Sequence, residues 1–186
     1  MTDNRDHAIQ QDGAVLHDTF AVSLRLSAAP GDVFRAFADA EVRRRWFRLP
    51  GSGATYEHDF RVGGGETASS TFATFAMEPQ QLAYWSRYLD IVPDTRIVYV
   101  YESHVDGVLR WTSLVTVELR ADADAGADET VLTWTEQVAF VAPAGDGSDD
   151  LLHVRGGTRL RLNGLAVALA QRPRTAVPDS SHPELK

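Results

Sequence analysis

Apolar and polar residues alternate through FAVSLRLS, Phe20 to Ser27, placing Phe20, Val22, Leu24 and Leu26 on one face of a strand. The next stretch, APGDVFRAFADAEVRRRW, has helical spacing instead. Pro30 suits a first helical position and Asp32 a first turn, with Val33, Phe34 and Phe37 on one side. This predicts a short amphipathic helix broken near Asp39 into two. From Thr55 to Phe140 strand-like runs are separated by turn signals: Gly63 to Gly65, EPQ at 78–80, VPDT at 92–95, Asp106-Gly107 and ADADAGAD at 121–128. An antiparallel meander of six strands is expected. After PAGDGSDD, the residues Leu151, Val154, Thr158, Leu162, Leu165 and Leu169 recur at three-and-four spacing, so a long C-terminal helix follows, with Asp149 or Asp150 as its N-cap. Each glycine of Gly156-Gly157 costs a helix about 1 kcal/mol relative to Ala, so the pair predicts a kink there or a true start at Thr158.

Turn positions also predict which side chains share a face. A two-residue turn at Pro93-Asp94 sets Trp85, Arg87 and Leu89 opposite Glu102, Val100 and Val98. A turn at Asp106-Gly107 sets Trp111 and Ser113 opposite Glu102 and Val100. A loop centred near Asp124-Ala125 then sets Ser113, Val115 and Val117 opposite Glu136, Trp134 and Leu132. On this register the inner face gathers Trp85, Trp111 and Trp134, joined by Phe72 from the preceding strand. The outer face carries Tyr88 opposite Tyr99, Tyr101 opposite Thr112, and Thr116, Thr133, Thr135 and Gln137. RIVYVY, apolar on both sides, therefore turns Val98 and Val100 inward and its tyrosines out.

Composition narrows the function classes. A chain of 186 residues suffices for one domain with a single core, and its 44% hydrophobic and 24% charged content is ordinary for a globular protein. A formal net charge of -8 disfavours nucleic acid and anionic lipid as partners, and the basic run Arg43 to Arg45 reads as a solvated helix end. With no cysteine, thiolate zinc sites, disulfides and cysteine nucleophiles are excluded. The N-terminus lacks the order of a secretory signal, and no apolar run is long enough to span a bilayer. A cytoplasmic protein is expected. His7, His17, His58, His104, His153 and His182 show no ligand spacing, Gly63 to Gly65 lacks the Lys and Ser/Thr of a phosphate loop, and Ser52 sits outside any nucleophile elbow. Neither metal nor cofactor is expected. Residues 1–18 and 172–186 are polar segments without sustained periodicity, expected to be loosely ordered around a single domain at 19–171.

The order of strand, two short helices, meander and long helix resembles the helix-grip superfamily, also called SRPBCC or START-like. More narrowly, FRVGGGE, RYLDIVPDTRIVYVY, SLVTVEL, TVLTWTEQ and RGGTRLRLNGL resemble the branch named after the activator of heat-shock-protein ATPase, in its bacterial single-domain form. The resemblance covers about residues 19–170. It implies an α+β fold in which a curved antiparallel sheet of about seven strands wraps the C-terminal helix and leaves an apolar cavity between them.

Charged groups facing an apolar interior are costly unless paired or functional. On the expected register Arg87, Glu102, Ser113 and Glu136 stand among the tryptophans. They form structural pairs, Arg87 with Glu102 and Glu136 with Ser113, or they hold a ligand head group or move a proton. The primary expectation is a cavity for a small apolar or aromatic molecule, lined by Trp46, Phe72, Trp85, Arg87, Val100, Glu102, Trp111, Ser113, Trp134, Glu136 and Leu162, with Trp46 at its mouth. A second is an enzyme of the polyketide cyclase or aromatase kind, with Arg87, Glu102 and Glu136 as catalytic candidates. A third is a co-chaperone-like module that stimulates a heat-shock-protein ATPase through its outer surface. A homodimer is compatible with each.

Overall fold

The computed structural model describes residues 15–75, 77–123, 128–143 and 147–171. Their elements are β1 (Leu16–Leu26), α1 (Pro30–Ala38), α2 (Ala40–Trp46), β2 (Ser52–His58), β3 (Glu66–Thr74), β4 (Met77–Val92), β5 (Arg96–Val105), β6 (Val108–Ala121), β7 (Thr130–Phe140) and α3 (Ser148–Ala170). All neighbouring strands are antiparallel, in the order β1-β7-β6-β5-β4-β3-β2. This is the helix-grip arrangement, α+β, with α3 on the inner side of the sheet. β1 starts at Leu16, inside the segment expected to be loosely ordered, because residues 16–19 pair with the end of β7. Residues 1–14 and 172–186 lie outside the described residues, as does the loop centre at Asp124-Ala125.

Local chemistry explains the helix boundaries. Asp39 is extended, closing α1 with its backbone N–H on the Arg35 carbonyl, while its carboxylate accepts from the N–H groups of Glu41 at 2.9 Å and Val42 at 3.2 Å. One residue thus ends one helix and starts the next. At α3 the expected caps are corrected: Gly147, left-handed at φ 80°, precedes the helix, and neither Asp149 nor Asp150 is its N-cap. Nor does α3 break or begin near Gly156-Gly157. Val154, Thr158, Leu162, Leu165 and Ala168 are buried along its length, and this packing outweighs the propensity cost of two glycines. The loop at Gly63 to Gly65 is a turn, as expected. A Cβ on Gly65 would meet the Ser86 carbonyl oxygen at 1.9 Å, which is why the loop can lie against β4.

The bulge between β5 and β6 decides the faces of the sheet. Trp85 opposes Glu102 and Arg87 opposes Val100, as expected, but the β4–β5 register shifts between Tyr88 and Asp90. The β5–β6 register shifts between Ser103 and His104, leaving Arg110 unpaired by the ladder. Beyond that bulge Trp111 opposes Ser103 and Ser113 opposes Tyr101. A slip of one residue exchanges the two faces. The expected faces of β4 and β5 are therefore corrected: Tyr84, Tyr88, Tyr99 and Tyr101 point into the core, all buried, while Trp85, Arg87, Val100 and Glu102 lie on the outer face, Trp85 at 45% exposure. β6 and β7 keep the expected faces, with Ser113, Val115, Val117, Trp134 and Glu136 inward, although Val115 rather than Ser113 opposes Glu136. The EPQ turn is also corrected. Thr74 pairs with Met77, so Pro79 and Gln80 lie within β4, and Phe72, opposite Gln80, is half-buried near the end of β3.

The β5–β6 bulge reverses the order of stability costs that the uncorrected register implies. Tyr99→Ala, which empties a buried ring position, is expected to cost about 3–5 kcal/mol, whereas Trp85→Ala on the outer face costs about 1 kcal/mol or less. Urea unfolding of both variants checks this, and equal losses would refute the assigned faces.

Candidate functional site

The inner face carries two buried polar centres. The first joins α2 to β3. Arg43 is 1% exposed and Glu66 0%, and they meet as a two-pronged pair, Nε to Oε1 at 2.7 Å and Nη2 to Oε2 at 2.9 Å. The Tyr56 hydroxyl donates to the same Oε1 at 2.5 Å, and the Glu66 backbone N–H donates to Ser86 Oγ at 2.9 Å. Three rings pack about the guanidinium, with centroids at 4.1 Å (Trp46), 4.6 Å (Phe47) and 5.4 Å (Phe37). Nη1 of Arg43 is buried without a hydrogen-bond partner. Burial alone would raise the Glu66 pKa, but the Arg43 charge, its hydrogen bonds and the Tyr56 hydroxyl hold it below the usual carboxylate value. Beside this pair His58 shares a hydrogen bond of 3.1 Å with the Tyr88 hydroxyl, and burial lowers its pKa against the opposing pull of Glu66.

The second centre is Glu136, 0% exposed. Its Oε1 accepts from the Tyr101 hydroxyl at 2.6 Å and Ser113 Oγ at 2.8 Å. Its Oε2 accepts from Trp134 Nε1 at 3.0 Å and Thr158 Oγ1 at 3.3 Å. Trp111 Nε1 donates to the Tyr101 hydroxyl at 3.0 Å, extending the chain to a second tryptophan. Burial and the Glu136 charge together push the Tyr101 hydroxyl well above its ordinary pKa. The carboxylate thereby ties β5, β6 and β7 to α3 without a cation in its hydrogen-bond set.

Placement of the sequence-predicted strand residues follows from the β5–β6 bulge. Trp111, Ser113, Trp134 and Glu136 come together, and Leu162 is core on α3. Trp46 is corrected from a mouth position to the interior: it is buried, its Nε1 donates to the Ala36 carbonyl at 3.0 Å, and its ring meets Phe37 edge-on. Trp85, Arg87, Val100 and Glu102 line a separate concavity of about 230 Å³ on the outer face. There Glu102 pairs with His104 at 3.0 Å, not with Arg87. The reading of Arg43 as part of a solvated helix end is corrected too. Arg43 lies one residue after Val42 and three before Trp46, on the buried arc of α2, and Glu66 shares strand parity with buried Ala68 and Ser70. Those spacings were the available signal for the pair. Among the described residues no group of three or more His, Asp or Glu side chains is placed to hold a metal. No described helix is long and apolar enough to cross a membrane.

Open space lies beside the Arg43–Glu66 pair. A cleft of about 510 Å³ opens between the α2–β2 connection and strands β2 and β3, lined by Phe47, Leu49, Ala54, Tyr56, Ala68 and the polar rim of Arg44, Arg48, Gly51 and Thr55. Phe47 and Tyr56 belong both to this lining and to the surroundings of the buried pair. The interior near Glu136 is filled by rings instead, with Tyr84 and Tyr101 centroids 5.2 Å apart and Tyr99 and Trp134 5.9 Å apart.

Residues 27–170 match the sequence model of the family described as Activator of Hsp90 ATPase homolog 1-like protein. The solved structure of Mll3558 from Rhizobium loti is 39% identical, covering 83% of this chain and 99% of its own, with a TM-score of 0.68. A protein of Rhizobium leguminosarum is 32% identical over 86% of this chain and 98% of its own, with a TM-score of 0.70. DynU16, from the dynemicin biosynthetic locus, shares the fold at 16% identity and a TM-score of 0.57, over 83% of this chain and 48% of its own. No curated protein matches.

Glu136→Leu leaves several buried donors unpaired and is expected to cost about 3 kcal/mol or more. Glu136→Gln keeps an acceptor for Trp134 and places its amide against hydroxyls that can accept, at about 1 kcal/mol. Denaturant unfolding of the pair tests the order. Acid response provides a second test. Glu66, held below 4.5, contributes stability that is complete above that value and is lost as pH falls through its folded pKa. His58, held below 6.5, stays neutral in the fold while the unfolded chain takes up a proton, so stability begins to fall as pH drops below 6.5. His58→Gln is expected to flatten the decline that begins below pH 6.5 and to leave the Glu66 loss at lower pH. Urea midpoints measured across that range check it, and an unchanged slope would assign the upper decline elsewhere.

Proposed function

Because the chain belongs to the Activator of Hsp90 ATPase homolog 1-like family as a helix-grip domain, we propose that it binds a small apolar or aromatic molecule in the cleft beside α2. The observation that carries this reading is the cleft itself. Its volume of about 510 Å³ is that of a small-molecule site, and its walls combine the rings of Phe47 and Tyr56 with the aliphatic surface of Leu49, Ala54 and Ala68. The buried pair behind it fixes both rings, so the walls are pre-formed and little ordering opposes binding.

Enzymatic chemistry has weaker support. Arg87 and Glu102 stand on the opposite side of the sheet from Glu136, so the three catalytic candidates do not share a site. Glu136 accepts four hydrogen bonds, which leaves it poorly placed to take a proton from a substrate. The likeness to DynU16 is one of fold. A docking role has one observation in its favour: Trp85 and Arg87 line an open concavity on the outer face. A co-chaperone would then stimulate a partner ATPase in a manner lost in Trp85→Ala.

The test of the binding reading is a thermal-shift and native mass-spectrometric comparison of the protein with Ala54→Trp, an exposed position whose enlarged ring fills the cleft. Neutral aromatic compounds at about a hundred times their Kd should stabilise the parent protein by about 2.7 kcal/mol. Ala54→Trp should lose that shift. A shift that survives the variant would move the site elsewhere.

A further inference from the structure

The cleft is locally cationic in a chain whose net charge is -8. Arg44 and Arg48 form its rim, and Arg161 reaches from α3 to within 5.1 Å of the Phe47 ring that forms its wall. One acid answers these three guanidinium groups: Glu41, bonded to Arg44 at 3.2 Å on an exposed turn. Arg48 is held in place by its Nε, which donates to the Arg44 carbonyl at 3.0 Å and caps the end of α2. Its two terminal nitrogens make no ion pair among the described residues, and neither does half-buried Arg161. Glu66 adds nothing to the balance, because Arg43 already neutralises it.

Two guanidinium groups without an ion pair, exposed Arg48 at the rim and Arg161 over the Phe47 ring, favour an anion there. The neighbouring rings lower the local dielectric, and a planar fork matches the geometry of a carboxylate or sulfonate. We propose that the molecule held in this cleft is an amphipathic organic acid: its apolar ring or chain lies on Phe47, Leu49 and Tyr56, and its anionic group is bound by Arg48, with Arg44 and Arg161 adding to the field. This deepens the binding reading and rests on it.

A matched pair of dyes separates the two. Anilinonaphthalene sulfonate and its uncharged counterpart N-phenylnaphthylamine present similar ring systems with and without the anion. Fluorescence titration of the parent protein, Arg48→Gln, Arg161→Gln and Ala54→Trp reads both affinities, with circular dichroism confirming that each variant is folded. Arg48→Gln should weaken the sulfonate by about tenfold or more and the neutral dye by less than about twofold, with a smaller selective loss in Arg161→Gln. Salt should weaken only the sulfonate. If Ala54→Trp removes both dyes but the arginine variants do not discriminate between them, the anion assignment is overturned and the apolar cleft stands. If Ala54→Trp affects neither dye, the cleft itself is not the site and both readings fall. Should Arg48→Gln unfold the protein, selective loss in Arg161→Gln together with the salt dependence still decides: both present supports the assignment, both absent overturns it.

Discussion

The Arg43–Glu66 pair is the constraint on which the rest of the helix-side surface depends. Taking two full charges out of water costs several kcal/mol per ion, and the cost is recovered only where geometry is close to ideal and the remaining polar atoms are bonded. Here the fork of Arg43 meets both oxygens of Glu66, a tyrosine hydroxyl completes the carboxylate, and aromatic faces cover the guanidinium, while Nη1 stays without a hydrogen-bond partner and leaves part of the cost standing. The backbone of α3 comes close to α1, α2 and β1. Arg43 and Glu66 join α2 to β3, alongside the apolar cluster that packs α3 against the sheet. Disturbing either ion would leave the other buried and uncompensated, and would free the two rings that form the cleft walls.

Element order was legible in the sequence because each element has its own signal: period two in β1, Pro30 and Asp32 at α1, Asp39 at the break, and apolar three-and-four spacing in α3. Face assignment was legible only where the chain is unambiguous. In β6 and β7, Val115, Val117, Leu132 and Trp134 alternate with polar partners and identify the inner side. In β5 the residues Ile97, Tyr99 and Tyr101 compete with Val98 and Val100, and either set is apolar enough to be buried. Such a strand cannot report a slip. The deciding residue, Arg110, is an extra residue in its ladder, and it is not a glycine that would mark a bulge in the sequence.

The same ambiguity hid half of the polar chemistry. Glu136 was legible because an acid interrupts an otherwise apolar face, and its bond from Ser113 survives although the two are not directly opposite. Arg43 was not, since three consecutive arginines read as a solvated end unless the arc of a two-turn helix is traced residue by residue. Burial of the middle of such a run depends on an acid waiting across the interface, and that acid is 23 residues further along the chain.

These placements also explain why the cleft lies at the side of the fold and not at its centre. With the tyrosines of β4 and β5 turned inward, the sheet presents ring after ring to α3, and the hydroxyls must find partners in a dry interior. Glu136 and Glu66 serve that need from opposite ends: Tyr101 bonds to the first and Tyr56 to the second. Had the valines faced in, as the simpler register has it, smaller side chains would leave room beneath the helix and no hydroxyls to satisfy. The β5–β6 bulge thus exchanges a roomy apolar interior for a packed polar-aromatic one. On the helix side a cleft stays open at the margin where α2 gives way to β2, bounded by rings on one side and by arginines on the other.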